Sequence, residues 1–278
     1  MNKTTSVKKN EDYDCLRCQI VDCLNLFTCS DENKNIGQEL YVYNLVGNEV
    51  EKDQGFGFYS CATGETLQSI CFLTSSLYEI SENEILAEVM LQIPRDLKAS
   101  IFLAFSGHYR QAHQVLRCCF ENLISSLYFQ TEIGSIKEGE ENYIKKTLKK
   151  FREWKNGGTI GEIWPKIELL RRVGFLSRNE EDEWKLLYTT LSKFIHTPKE
   201  FVSTFQHKEG EFPCIAETYF DKSSFQEWGK KFHETSRNII KSIIKFYPAV
   251  LQTEAGKDAT KIIKQLARDT VSSGLPIL

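Results

Sequence analysis

The sequence predicts a mainly α protein, a helical bundle with a smaller, irregular N-terminal module. Three observations carry this. Apolar residues recur at helical spacing over most of the chain, only six prolines interrupt 278 residues, and Leu, Ile, Glu and Lys are plentiful. A hydrophobic content of 41% with 26% charged residues is that of a soluble globular protein with a proper core. The net charge of −3 gives no global attraction to nucleic acid or to an anionic membrane. No apolar run reaches the ~18 residues of a membrane span, and the first residues have no apolar core after their lysines. A cytoplasmic location is therefore expected, with no membrane association and no cofactor.

Residues 1–12 read as a polar tail. Cys15, Cys18, Cys23 and Cys29 then fall within fifteen residues, and four thiolates so placed suit a zinc or iron–sulfur knuckle. The same residues also fit the apolar face of an amphipathic helix over 14–27, and no second Cys-x-x-Cys is present, so no metal is assigned. Nine cysteines without a secretory signal are expected to be reduced, and Cys118 and Cys119 read as small core residues. Residues 39–48 suit a strand and turn ending at Gly47-Asn48. The glycine-rich Gly55-Phe-Gly-Phe-Tyr lacks the rest of a phosphate-loop pattern and is expected to be a loop packed by its aromatics. Helices follow at 65–80 and 82–93, the second opening at Ser81 with Glu84 three residues on.

The longest helical pattern runs over residues 94–130, with Pro94 suited to a first helical position. Its apolar residues leave little circumference for solvent, yet Ser106, Arg110, His113, Arg117 and Glu121 fall on one stripe. Charges on a buried face need partners. A charged helix is expected at about 136–155, with Lys145, Lys146, Lys149 and Lys150 on a basic face able to hold phosphates. Solvated charge is the plainer reading of that face. A short helix over 160–173, broken near Pro165, would be closed by Gly174. The next begins at Ser177, with Glu180 completing a capping box. Trp184, Leu187, Tyr188, Leu191, Phe194 and Ile195 form its inner face, and it ends at His196, before Pro198. Residues 199–222 read as an extended excursion, and amphipathic helices at 224–251 and 254–269 complete the pattern. The division expected is 1–93, a core over 94–251, and a C-terminal helix and tail over 252–278.

Arg110, His113, Arg117 and Glu121 on one element, and Ser192 with His196 on another, could make a single polar site. Arginine would steady a phosphodiester's charge while histidine moves a proton. The alternative is a polar lock that fixes how buried helices pair.

Gly107-His-Tyr-Arg-Gln-Ala-His-Gln-Val-Leu-Arg-Cys-Cys-Phe-Glu-Asn-Leu resembles the "YR-A…LLR…E" helix of the HEPN-like group. Leu187-Tyr-Thr-Thr-Leu-Ser-Lys-Phe-Ile-His-Thr-Pro is similar to that group's "Y…LS…(V/I)HP" helix end. The likeness covers roughly residues 95–200. It implies a helical bundle, often dimeric, in bacterial antiviral defence or toxin–antitoxin settings, with RNA or a protein of the same system as partner. Active members are metal-independent ribonucleases using Arg-x(4–6)-His, and none of the five histidines here has an arginine at that upstream spacing. His196 and Arg117 would have to meet through the fold.

Overall fold

A single glycine decides how the longest apolar pattern folds. The computed structural model describes residues 54–80, 84–134, 141–156, 161–194 and 222–273. In chain order they form α1 (Gln54–Ile80), α2 (Glu84–Phe105), α3 (Tyr109–Gly134) and α4 (Glu141–Lys155). Then come α5 (Ile163–Arg172), α6 (Arg178–Lys193), α7 (Lys222–Phe246), a 3-10 turn at Pro248–Gln252 and α8 (Glu254–Ser273). Helix accounts for 91% of the described residues and no strand occurs among them, so the mainly α expectation holds.

The single helix expected over 94–130 is instead an antiparallel pair, α2 and α3, joined through Ser106, Gly107 and His108. Gly107 takes φ 79°, its N–H donating to the Ala104 carbonyl (3.1 Å) while the His108 N–H donates to Leu103 (2.8 Å). This pairing reverses the chain and satisfies the last carbonyls of α2. The left-handed backbone suits glycine because a Cβ there would crowd the following carbonyl. Apolar spacing continues through the turn because both helices bury a face beside it. Pro94 sits inside α2 rather than at a helix start. The boundary expected at residue 93 also falls within α2, whose Met90, Ile93, Leu97 and Ile101 share one apolar cluster with Leu67 and Ile70 of α1 and Ala259 of α8.

Other element ends follow local chemistry. The Gly55-Phe-Gly-Phe-Tyr stretch, expected as a loop, belongs to the first turns of α1. Pro165 does not break α5, because it occupies the first turn, where no helical N–H is lost. Gly174 (φ 79°) closes α5 as expected, with its N–H on the Arg171 carbonyl at 2.9 Å. Ser177 and Glu180 form the expected capping box at the start of α6. Expected to reach 251, α7 stops at Phe246, and the chain turns at Pro248. The cysteines at 15, 18, 23 and 29, the strand at 39–48, His196 and all but the last residue of the excursion expected over 199–222 lie outside the described residues, Lys222 itself opening α7.

The α2–α3 hairpin is the centre of the packing. α7 packs on both helices, α1 packs on α2 and α7, and α8 packs on α1. α5 and α6 pack on α3, and α6 also meets α7. Trp228 of α7 is fully buried and donates from Nε1 to Ser100 Oγ of α2 at 2.9 Å. Ser100 Oγ in turn donates to the Ala112 carbonyl of α3 at 2.9 Å, so one chain of hydrogen bonds ties three helices. Phe105, Phe225 and Phe232 surround the indole at 5.3–6.4 Å between ring centroids. At the far end, Thr253 Oγ1 donates to Ser76 Oγ (2.7 Å) and accepts from the Gly256 N–H (2.9 Å), locking the start of α8 onto α1. Across α5 and α6, Glu181 pairs with Arg171 (2.6 Å) and Lys185 (2.8 Å), and Phe120 of α3 meets Trp184 edge-on.

Two outcomes are expected in denaturant melts. Ser100→Ala orphans the buried indole N–H and should cost about 1–3 kcal/mol. Gly107→Ala should cost about 1–2 kcal/mol through its left-handed backbone. Unchanged midpoints would refute these roles.

Candidate functional site

The stripe on α3 meets α6 in two separate constellations. In the first, Arg110 is exposed and its Nε donates to the Phe194 carbonyl at 3.1 Å. One turn on, the His113 ring stacks on the Phe194 ring, with centroids 3.6 Å apart and planes 6° from parallel. His113 is 1% exposed, and its Nδ1 has no partner among the described residues. Burial first, and the Lys231 charge second, push its pKa down to about 3. The imidazole is therefore neutral near pH 7.

The second constellation is a closed triangle. Arg117 Nη2 donates to Tyr188 Oη at 2.9 Å and pairs with Glu121 Oε1 at 2.9 Å, while Tyr188 Oη donates to Glu121 Oε1 at 3.0 Å. Burial works against the Arg117 charge, but the Tyr188 hydrogen bond and the attraction of Glu121 overcome it and raise its pKa. Burial also raises the Tyr188 phenol, against the pull of Arg117. Trp164 of α5 stands edge-on to the Tyr188 ring at 5.6 Å. Lys166, 6% exposed, donates to the Glu162 carbonyl at 2.8 Å, and burial lowers its pKa against the opposing pull of Glu121 and Glu162. The Arg117 and Glu121 side chains keep 21% and 26% of their surface exposed, so solvent reaches the triangle's rim.

The fold thus joins Arg117 with Glu121 and brings both Arg110 and His113 onto Phe194, whereas His196, which the expected cleft requires, lies outside the described residues. Sequence reasoning did not find the polar parts of Tyr188, Phe194 and Lys166. Apolar spacing puts Tyr188 and Phe194 on the inner face of their helix, and a phenol hydroxyl or a helix-end carbonyl leaves no trace in that spacing. Ser192, paired in the sequence reading with His196, donates to the Tyr188 carbonyl at 2.7 Å.

Lys145, Lys146, Lys149, Lys150 and Arg152 are all exposed on the outer side of α4. Lys149 lies 3.8 Å from Glu153, whereas Lys145, Lys146 and Lys150 make no ion pair among the described residues. Lys155 pairs with Glu88 of α2. Cys119 is buried as expected, but Cys118 is exposed, because the successive 100° step carries it out of the core. Burial raises both thiols, which keeps them protonated and weakly nucleophilic. Among the described residues no three His, Cys, Asp or Glu side chains are grouped to hold a metal, and no helix is long and apolar enough to cross a membrane. No family model, curated protein or solved structure matches the chain.

The buried histidines set an acid response. His233, 1% exposed, is likewise pushed down to about 3, by burial and then Arg237. Between pH 3 and the ordinary histidine pKa of about 6.5, the unfolded chain binds protons that the folded one refuses. Stability from these groups is thus complete above that range and falls with acid by about 1.4 kcal/mol per pH unit per histidine. Urea melts across this range should show it, and His113→Gln should remove one proton's worth of slope. An unaltered slope would mean that His113 titrates normally.

Proposed function

We propose that this chain is a HEPN-like helical protein of bacterial antiviral or stress defence that binds RNA through the outer face of α4. The observation that carries the reading is the run of exposed cations from Lys145 to Arg152, in which only Lys149 has an ion-pair partner among the described residues. Such a run can neutralise consecutive phosphates and release their counterions. Tyr143, 47% exposed at the head of the same helix, supplies a ring on which a base can stack. The resemblance over residues 95–200 supports the defence setting, a cytoplasmic location and a homo-oligomer or protein partner from the same system.

In this reading the α3–α6 contacts hold the bundle together, because Arg117 Nη2, Tyr188 Oη and Glu121 Oε1 already bond to one another. A second reading, metal-independent ribonuclease activity at Arg117, Glu121 and Tyr188, is favoured by the solvent-reached rim of that triangle. A third class, a non-catalytic protein-interaction module, needs no RNA at all.

One set of titrations separates the three. Anisotropy of a labelled single-stranded RNA in EDTA should show binding that weakens with salt. Lys146→Glu with Lys150→Glu should lower affinity at least about tenfold and reduce the logarithmic salt slope by about 1.4, as two lost phosphate contacts require. RNA recovered intact with Arg117→Ala and with the parent protein fits binding alone. Cleavage by the parent that Arg117→Ala abolishes, with binding kept, would establish the enzyme reading. Unchanged affinity and slope in the double variant would overturn the RNA-binding face and leave the interaction module.

A further inference from the structure

The main core does not include α4. Among the described helices α4 packs mainly on α3, with Val89 of α2 in the same small cluster and an ion pair from Lys155 to Glu88 of α2. Its inner side joins a small separate cluster, where Phe151 and Phe129 are buried with Val89 and are flanked by Tyr128, Ile133, Leu148 and Trp154. Phe129 lies 5.5 Å from Phe151 and 5.8 Å from Trp154 between ring centroids. None of these residues belongs to the continuous apolar cluster that joins α1, α2, α3, α5, α6, α7 and α8. Opening α4 therefore breaks the small cluster and leaves the large one intact.

The outer side works against the helix. Six basic residues share its fifteen positions with two acidic ones. Lys145 and Lys149, and Lys146 and Lys150, are four apart, while Lys146 and Lys149, Lys149 and Arg152, and Arg152 and Lys155 are three apart. Each such like-charge neighbour pair destabilises a helix by an amount similar to what an opposite pair contributes. Among the described side chains of the helix, Lys149 pairs with Glu153, but the contact is long and the two side chains are 78% and 61% exposed, so it offsets little.

We infer that α4 is a polyanion-sensitive arm: it opens independently of the bundle, and a bound polyphosphate backbone tightens it by removing the repulsion among its own lysines. Coupling of this kind is reciprocal, so whatever loosens the docked helix also weakens polyanion binding without touching a charge. The inference rests on the RNA reading only for the identity of the natural polyanion, because the repulsion exists without any ligand.

Hydrogen exchange of the full chain tests it. Amides of residues 146–154 should exchange at least about tenfold faster than those of 116–127 in α3, as separate units of different stability do. Raising sodium chloride from about 0.1 M to about 1 M shortens the screening length from about 10 Å to about 3 Å. That change should slow α4 about fivefold and leave α3 unaltered. Inorganic polyphosphate at low salt should slow it at least as much. Lys146→Gln with Lys150→Gln should already slow α4 at low salt and blunt both responses. Phe151→Ala should speed α4 alone and weaken polyphosphate binding. Exchange of α4 at the rate of α3, or no slowing with salt, would overturn the arm. Protection by salt and polyphosphate but not by RNA would uphold the arm and overturn the RNA reading instead.

Discussion

The hydrogen-bond chain from Trp228 through Ser100 to the Ala112 carbonyl fixes the geometry on which the bundle depends. An indole buried without a partner for its N–H is costly, and here the partner is a hydroxyl on a different helix. That requirement sets the depth and rotation of α7 against the α2–α3 hairpin, which apolar packing alone leaves loosely specified. Ser100 can meet Ala112 because Gly107 reverses the chain midway between them. The aromatic cluster around the indole then adds burial to a register already chosen.

Much of the architecture was legible because it is written in local chemistry. The Ser177–Glu180 box and the Gly174 cap declare where α5 ends and α6 begins, and each uses side-chain or backbone rules within a few residues. The α2–α3 turn was harder to read, since Phe105 and Tyr109 are apolar on both sides of it and the helical period survives the reversal. Pro94 misled for a related reason: it looked like a beginning, although a proline inside a helix is tolerated when tertiary contacts outweigh its missing N–H.

At the candidate site, the residue types were legible and their partners were not. Arg117 with Glu121 follows from their spacing of four on one helix. That Tyr188 would close the triangle depends on how α6 is rotated against α3, a consequence of Phe120 meeting Trp184 rather than of any motif. His113 shows the opposite outcome: a stripe position suggested chemistry, and stacking against Phe194 made it part of the core. The stripe therefore combines a buried, stacked imidazole with a hydrogen-bonded ion pair that still meets solvent. The α4 lysines are a simpler case, because exposure is what their spacing implies and their consequence lies in mutual repulsion.

The link between Thr253 and Ser76 also bears on the order in which the chain acquires structure. These residues are 177 positions apart, and Thr66 of α1 meets His233 of α7 across 167. The α2–α3 hairpin, by contrast, assembles its large interface across a three-residue turn, with contacts of short sequence separation that form early. On a ribosome, α1 emerges before α2 and α3 but must await α7 and α8 before its buried face is covered. The helix nearest the start of the described chain is thus among the last to find its place, and its interval of exposure is set by the time taken to synthesise nearly everything that follows it.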